Sequence, residues 1–136
     1  MVRVAGNEAD KTEKITINLG LVDLGQIDLL VQEGFYANRT DFIRSAIRTQ
    51  LATRASAVDQ SVKRNALVLG TQNYSRGDLE RLRSDGERVQ IRVLGLATIA
   101  RDVPVDLALA TVESVEVLGA FRATPAVKKA LAPRTI

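Results

Sequence analysis

The sequence contains no cysteine, no histidine and no tryptophan, and aromatic residues make up only 4% of its 136 positions. These missing residue types exclude disulfides, thiolate nucleophiles, imidazole metal ligands and the most common general base in proteins. Carboxylates and hydroxyls remain, but no phosphate-binding glycine pattern and no convincing carboxylate pair accompany them. We therefore expect that the protein is not an enzyme and has neither a cofactor nor a metal site.

Long apolar runs are also missing, which predicts a protein without membrane spans. Residues 1–8 (MVRVAGNE) lack the apolar centre of a signal peptide, so we expect a soluble, cytoplasmic protein. A hydrophobic content of 46% is enough for a folded core. The net charge of +3 is spread evenly, so charge alone does not predict a nucleic-acid-binding protein.

The first periodic segment, residues 14–19 (KITINL), alternates strictly between polar and apolar side chains. This two-residue period is typical of a strand with one buried face. The apolar face consists of Ile15, Ile17 and Leu19, and the polar face consists of Lys14, Thr16 and Asn18. Residues 1–13, before this segment, are polar, mixed in charge and without period, and are predicted to form a flexible arm.

Two amphipathic helices are predicted after Gly20. The first carries Ile27, Leu30 and Val31 at helical spacing and closes at a glycine in the usual C-terminal position. The second begins at Asn38, a good N-cap, and has an acidic residue in its first turn. Its apolar stripe includes Phe42, Ile43 and Ile47.

One strand and two helices cannot close a core, because small units bury too little of their surface. A lone strand also leaves its backbone donors and acceptors unpaired. A second copy solves both problems, since two strands can pair as an antiparallel ribbon covered by four helices. Such a ribbon fits the major groove of DNA, where Lys14, Thr16 and Asn18 of each chain could read base edges.

Three stretches carry a resemblance to a known family: residues 14–19 (KITINL), 27–34 (IDLLVQEG) and 36–48 (YANRTDFIRSAIR). In these stretches the chain resembles the ribbon-helix-helix superfamily of Arc/MetJ/CopG-type regulators. The resemblance covers residues 14–54, roughly a third of the chain. It implies an α+β fold in which two chains swap strands into a dimer, and a DNA-binding transcriptional regulator, with repression as the expected action.

The resemblance also implies roles for individual residues. The polar strand face would contact bases, and the start of the second helix, Asn38, Arg39 and Thr40, would contact a DNA phosphate; a helix N-terminus attracts anions. The implied dimer core consists of Ile15, Ile17, Leu19, Ile27, Leu30, Val31, Phe42, Ile43 and Ile47.

Simpler interpretations of the same residues stay open. The polar strand face can be a solvated surface, and Asn38 can be a plain helix cap. Arginines along a helix usually form a solvated face, so of Arg39, Arg44 and Arg48 we expect only Arg39 near DNA. An alternative function within the family is that of an antitoxin, which binds a toxin and its own operator.

The rest of the chain is predicted to form a helical connector, residues 55–73, and a small α/β domain, residues 74–136. Within this domain residues 91–95 (IRVLG) recur as residues 115–119 (VEVLG), displaced by 24 positions, which suggests a short α/β repeat. Its open strand edges suggest association of dimers into larger assemblies on DNA, consistent with a nucleoid-associated location. The expected partners are thus double-stranded DNA and further copies of the chain, with no membrane.

Overall fold

The computed structural model describes residues 11–136, which form two compact units. The N-terminal unit is Thr12–Ser61, and the repeat unit is Val62–Ile136 together with Lys11. Most of the arm predicted for residues 1–13 lies outside the described residues. Within the described part of the chain, no helix is both long and apolar enough to cross a membrane.

The N-terminal unit contains two complete helices, α1 (Leu21–Gln32) and α2 (Arg39–Thr53). A third helix, α3 (Ala55–Arg64), begins in this unit. The α1 helix ends where the backbone N–H of Phe35 donates to the carbonyl of Leu30 at 2.9 Å. This closure places Gly34 at φ +88°, a conformation that glycine adopts without strain. The two helices predicted after Gly20 are therefore present.

Residues 12–20 contain neither helix nor strand in the single chain. A strand needs a hydrogen-bonding partner, and the ribbon predicted for residues 14–19 would find its partner in a second chain. The predicted mixture of helix and strand is confirmed, but every strand in the described residues lies in the repeat unit, where all pairings are parallel.

The repeat unit alternates strands with helices around a three-stranded sheet in the order β1-β2-β3. Its elements are β1 (Val68–Tyr74), α4 (Arg76–Ser84), β2 (Val89–Ile99), α5 (Val105–Thr111), β3 (Val112–Arg122), α6 (Pro125–Leu131) and a 3-10 turn (Ala132–Arg134). The fully buried side chains come from both layers and include Leu79, Ile91, Leu107, Val115 and Leu131. Each helix covers the sheet with its apolar side, so the core lies between the helices and the strands.

Strand register follows the internal repeat. Ile91 lies opposite Val115 and Gly95 lies opposite Gly119, as the displacement of 24 residues requires. A third copy, Val68-Leu69-Gly70, pairs with Val93-Leu94-Gly95 at a displacement of 25 residues. This copy is difficult to recognise in the sequence, because only three of its residues match.

The three glycines of the repeat form a ladder across the sheet. Gly70, Gly95 and Gly119 have φ values of +125°, +141° and +123°, which L side chains rarely adopt. A Cβ atom on Gly95 would overlap the carbonyl oxygen of Gly70, and one on Gly119 would overlap the carbonyl oxygen of Gly95. Glycine is therefore required where neighbouring backbones approach each other this closely.

The connector predicted for residues 55–73 is only partly helical. The α3 helix ends at Arg64, close to the predicted limit, but Val68–Tyr74 forms β1 where a boundary loop was expected around residues 70–73. A loop was expected because Gly70, Thr71, Gln72 and Asn73 have turn-like propensities and do not alternate in polarity. The structure shows that this expectation is wrong. Pairing with β2 outweighs these local preferences, which are weak for edge strands.

Helix caps in the repeat unit agree with the sequence. Ser75 caps α4, and its hydroxyl accepts from the backbone N–H of Asp78 at 3.1 Å while the Asp78 carboxylate accepts from the Ser75 N–H at 3.0 Å. These bonds satisfy donors that a helix start otherwise leaves unpaired. Thr124 caps α6 with Pro125 at the first helical position.

Candidate nucleic-acid interface

The segment predicted to contact bases lies at the surface. Lys14, Thr16 and Asn18 are exposed, as are all residues from 11 to 20. The structure thus leaves these three side chains accessible to a ligand. A solvated strand face would look the same in a single chain, so exposure alone does not assign a role.

The apolar side of the same segment is uncovered as well. Ile15 is 74% exposed and Ile17 is 58% exposed, although isoleucine side chains are usually buried in folded proteins. The exposure continues along the helices and the turn between the first two of them, at Leu21, Val22, Leu29, Phe35, Ile47, Leu51 and Val58. Apolar surface of this extent on a folded unit marks an interaction site.

The residues predicted to form a dimer core are mostly unburied within one chain. Ile27 is buried, at 6% exposure. Leu30, Val31, Phe42 and Ile43 are half-buried, whereas Ile15, Ile17, Leu19 and Ile47 are exposed. The helix residues of the set therefore begin a core that one chain does not complete.

The N-terminus of α2 is organised by Asn38 and Asp41. The Asn38 side chain accepts a hydrogen bond from the backbone N–H of Asp41 at 2.8 Å, and the Asp41 carboxylate accepts from the backbone N–H of Ala37 at 2.9 Å. The N–H groups of Arg39 and Thr40, at the first two helical positions, have no acceptor within their own helix. They can donate to an anion, and the helix dipole favours negative charge there.

Arg39 is engaged within the unit. Its Nε donates to Oδ1 of Asp28 at 2.7 Å and its Nη2 donates to Oδ2 at 2.8 Å, which joins α2 to α1. These hydrogen bonds lower the pKa of the Asp28 carboxyl and raise the pKa of the Arg39 guanidinium. A phosphate contact from Arg39 would use its remaining donors or compete with Asp28.

A hollow of about 420 Å³ opens at the start of α2. It is lined by Ala37, Asn38, Thr40, Asp41, Arg44 and Arg48. Two arginines not expected near DNA thus share a concave surface with two of the predicted phosphate contacts. The spacing of Thr40, Arg44 and Arg48, four residues apart, places them on one side of the helix and could have indicated this from the sequence.

Tyr36 and Phe42 pack against each other beside this hollow. Their ring centroids are 5.0 Å apart with an interplanar angle of 84°, an edge-to-face arrangement. Both side chains are half-buried, so they stiffen the turn that leads into α2.

Cation ligands do not cluster in the described residues, where no group of three or more carboxylates could hold a metal ion. Within the N-terminal unit the Asp41 carboxylate accepts a hydrogen bond from the Ala37 N–H, and Asp28 pairs with Arg39.

The N-terminal unit thus presents an exposed segment of alternating polarity followed by two helices, the second of which begins with N–H groups that can donate to an anion. The model of the Ribbon-Helix-Helix transcriptional regulator family matches residues 10–128. The chain therefore belongs to this family, and the match takes in most of the repeat unit as well as the whole N-terminal unit. Neither the curated proteins nor the solved structures contain a match.

Proposed function

We propose that this regulator binds operator DNA as a homodimer and represses transcription by occupying the operator. Residues 14–19 of two chains pair as an antiparallel ribbon and enter the major groove of double-stranded DNA. The observation that carries the proposal is the uncovered apolar surface of the N-terminal unit, where Ile15 and Ile17 are more than half exposed.

Pairing two copies of residues 14–19 resolves two physical problems together. The backbone N–H and C=O groups of each segment gain partners, and the side chains of Ile15, Ile17 and Leu19 turn toward the helices of both chains. Because side chains alternate along a strand, Lys14, Thr16 and Asn18 then face away from this core. Such side chains can donate to and accept from base edges in the major groove.

The start of α2 supplies the second part of the interface. Backbone N–H groups of Arg39 and Thr40 bind a phosphate, with the Asn38 cap holding the helix start in place. Arg44 and Arg48 add positive charge to the same hollow. Phosphate contacts of this kind fix the position of the ribbon in the groove and carry no sequence information.

The activity proposed here is binding alone, without catalysis, because the chain has no imidazole or thiol to activate a nucleophile. Between the two family roles, repression is favoured over an antitoxin role. The repeat unit has a buried core of its own, whereas an antitoxin commonly folds a flexible segment onto its toxin.

Two neighbouring residues on opposite faces of residues 14–19 test the proposal. Ile17→Asp should abolish dimers in sedimentation equilibrium and DNA binding in anisotropy, because it places a charge in the paired core. Thr16→Asp should leave the dimer intact and weaken DNA binding, because it adds negative charge only to the groove-facing side. The operator for the assay comes from genome-wide mapping of bound sites, and Gln32→Ala, on the exposed end of α1, is the control.

If Ile17→Asp leaves the dimer unchanged, the antiparallel ribbon is wrong. If Thr16→Asp binds the operator as tightly as the unmodified protein, this strand face does not enter the groove. Repression is tested separately, by a reporter gene under the mapped operator with and without the regulator.

A further inference from the structure

The net charge of the chain is divided unevenly between the two units. Val62–Ile136 contains 12 lysine and arginine residues and 8 aspartate and glutamate residues, a net charge of +4. Thr12–Ser61 contains 5 and 6, a net charge of −1. A DNA-binding protein gains its sequence-independent affinity by neutralising phosphates with lysine and arginine. The unit assigned to operator binding thus has no net positive charge, whereas the repeat unit has one.

The excess of positive charge is concentrated near the end of the chain. Residues 117–136 contain four basic residues and no acidic residue. Four arginines earlier in the repeat unit are instead paired with carboxylates at 2.6–3.6 Å: Arg76 with Glu80, Arg81 with Asp78, Arg83 with Asp106 and Arg92 with Glu116. Their charge is compensated locally, so it adds little to the attraction of an external anion.

Helix α6 presents two lysines to solvent. Val127 and Leu131 are 1% and 0% exposed and fix the side of α6 that packs on the sheet, whereas Lys128 and Lys129 are exposed. The Nζ atom of Lys128 lies 6.0 Å from the centroid of the Phe121 ring in β3. Neither lysine forms an ion pair with a carboxylate in the part of the chain that the structure describes. Both charges are therefore available to an external partner.

Arg101 extends the same surface. It is exposed, and it lines one surface depression together with Thr124 and Pro125, where α6 begins. Asp102 is the nearest carboxylate along the chain and offsets part of this charge. We call Arg101, Lys128 and Lys129 the basic edge of the repeat unit.

Arg134 has a different role, although it belongs to the same run of basic residues. Its Nη1 donates to the carbonyl oxygens of Leu109 and Val112 at 2.7 and 2.6 Å. Arg88 donates to the same Leu109 carbonyl at 3.3 Å. These two arginines satisfy backbone acceptors at the end of α5, so we do not include them in the basic edge.

We propose that the basic edge is a second contact with double-stranded DNA, one that binds the phosphate backbone without reading bases. The choice of DNA as the partner rests on the proposed function. Lysine is a compact point charge on a flexible stem, which suits phosphate contacts that carry no sequence information. Surfaces that bind proteins are instead depleted in lysine and contain aromatic or methionine anchors, and α6 exposes no large apolar side chain.

A purely structural role for the two lysines makes a different prediction. Lys128 and Lys129 lie in the last turn of α6, where positive charge stabilises the helix dipole. Their removal would then lower the stability of the repeat unit and leave the salt dependence of DNA binding unchanged. The two roles are separated by measuring binding and stability in the same variants.

Binding of the full-length protein to a short duplex of random sequence is measured by fluorescence anisotropy at several salt concentrations. The double variant Lys128→Gln, Lys129→Gln removes two charges from the basic edge. The matched control, Arg76→Gln, Arg81→Gln, removes the same number of positive charges from ion-paired positions on α4. Thermal unfolding followed by circular dichroism gives the stability of each variant. Polyglutamate serves as a second probe.

We expect the lysine variant to lower the salt slope by about 2 for each chain that contacts the duplex, since each lost phosphate contact changes it by about 1. The arginine control should change the slope much less. Equal slopes in the two double variants would overturn the proposal. Polyglutamate bound as tightly as the duplex would also overturn it, since the basic edge would then fit an acidic protein equally well.

A second measurement requires no substitution. In NMR spectra of the unmodified protein, the amide signals of α6 and Phe121 should shift on addition of the random duplex, whereas those of α4 should not. Unshifted α6 signals at saturating duplex would contradict the proposal.

The outcomes also separate this proposal from operator binding by residues 14–19. If a specific operator is bound with an unchanged salt slope in the lysine variant, the basic edge alone is wrong. If random DNA is bound through the lysines and genome-wide mapping finds no preferred site, operator recognition alone is wrong.

Discussion

Arg39 and Asp28 are joined by two parallel hydrogen bonds of 2.7 and 2.8 Å that connect the start of α2 to the middle of α1. A bidentate guanidinium–carboxylate pair fixes direction as well as distance, so it orients the helix start that we assign to phosphate binding. The pair is solvent-exposed, with about half of each side chain accessible, and we therefore expect a modest effect on stability.

The Asp28 carboxyl makes this connection sensitive to acid. Its pKa lies below the ordinary 3.8, chiefly because of the hydrogen bonds from Arg39. A carboxyl whose pKa is lower in the folded protein stabilises the fold above the unfolded value, and the stabilisation is lost as the pH falls through the folded-state pKa. We predict that the N-terminal unit keeps a constant stability near neutral pH and loses part of it below about pH 4.

The folded fraction of the N-terminal unit is measured as a function of pH from the Tyr36 and Phe42 ring signals in NMR spectra. The unmodified protein is compared with Asp28→Asn. The variant should be less stable at neutral pH and show a smaller loss in acid. The matched control is Asp78→Asn in the repeat unit, where hydrogen bonds from Ser75 also lower the pKa of the carboxyl. Equal acid sensitivity of the N-terminal signals with and without Asp28 would contradict this account.

Arg44 and Arg48 should contribute more to phosphate binding than Arg39. They line the hollow at the start of α2, whereas two of the Arg39 donor groups are occupied by Asp28. We predict that Arg44→Gln and Arg48→Gln each weaken DNA binding equally for specific and unrelated sequences, and each lower the salt slope by about 1.

The comparison variant is Arg39→Gln, which should change the salt slope less and lower the stability of the N-terminal unit more. Anisotropy at several salt concentrations gives the slope, and thermal unfolding gives the stability. A larger loss of slope for Arg39→Gln than for Arg44→Gln would restore Arg39 as the main phosphate contact.

Thr16 and Asn18 should determine sequence preference. Thr16→Ala and Asn18→Ala remove hydrogen-bonding groups from the exposed side of residues 14–19, so we predict a loss of about 1–3 kcal/mol in discrimination between operator and scrambled DNA. Lys14→Ala should also lower the salt dependence, since it removes a charge. Competition assays with the two DNAs measure the effect. Unchanged discrimination in both variants would show that other residues read the bases.

The helices of the N-terminal unit, the helix caps and the family could be predicted from the sequence, because the local sequence signals for each of them point to the same structure. Asn38, Ser75 and Thr124 each accept a hydrogen bond from the third residue of the helix that follows, as their residue types indicate. Regular apolar spacing located α1 and α2, and residues 36–48 carried the family resemblance. The helix that places Arg44 and Arg48 in one hollow was also predicted, but arginine spacing alone does not distinguish a ligand site from a solvated face.

The strand β1 was inaccessible for a different reason. Thr71, Gln72 and Asn73 are polar neighbours, and in the described part of the chain their strand pairing is with residues 25 positions away. Non-local pairing of this kind leaves no periodic trace in a short window of sequence. The segment 14–19 is the opposite case, because its alternation predicts a strand, whereas the described single chain has no strand there.

The glycine ladder should be the most sensitive feature of the repeat unit. Gly95→Ala and Gly119→Ala each combine a positive φ with a Cβ that overlaps a backbone carbonyl of the neighbouring strand. Backbone strain and overpacking each cost about 1–3 kcal/mol, so we predict a loss of roughly 2–6 kcal/mol in the free energy of unfolding. Gly86→Ala shares the positive φ but has open space around the added atom, so it should cost only the strain of about 1–3 kcal/mol. Urea unfolding followed by circular dichroism compares the variants, and similar losses at Gly86 and Gly95 would mean that the strands separate to accept a side chain.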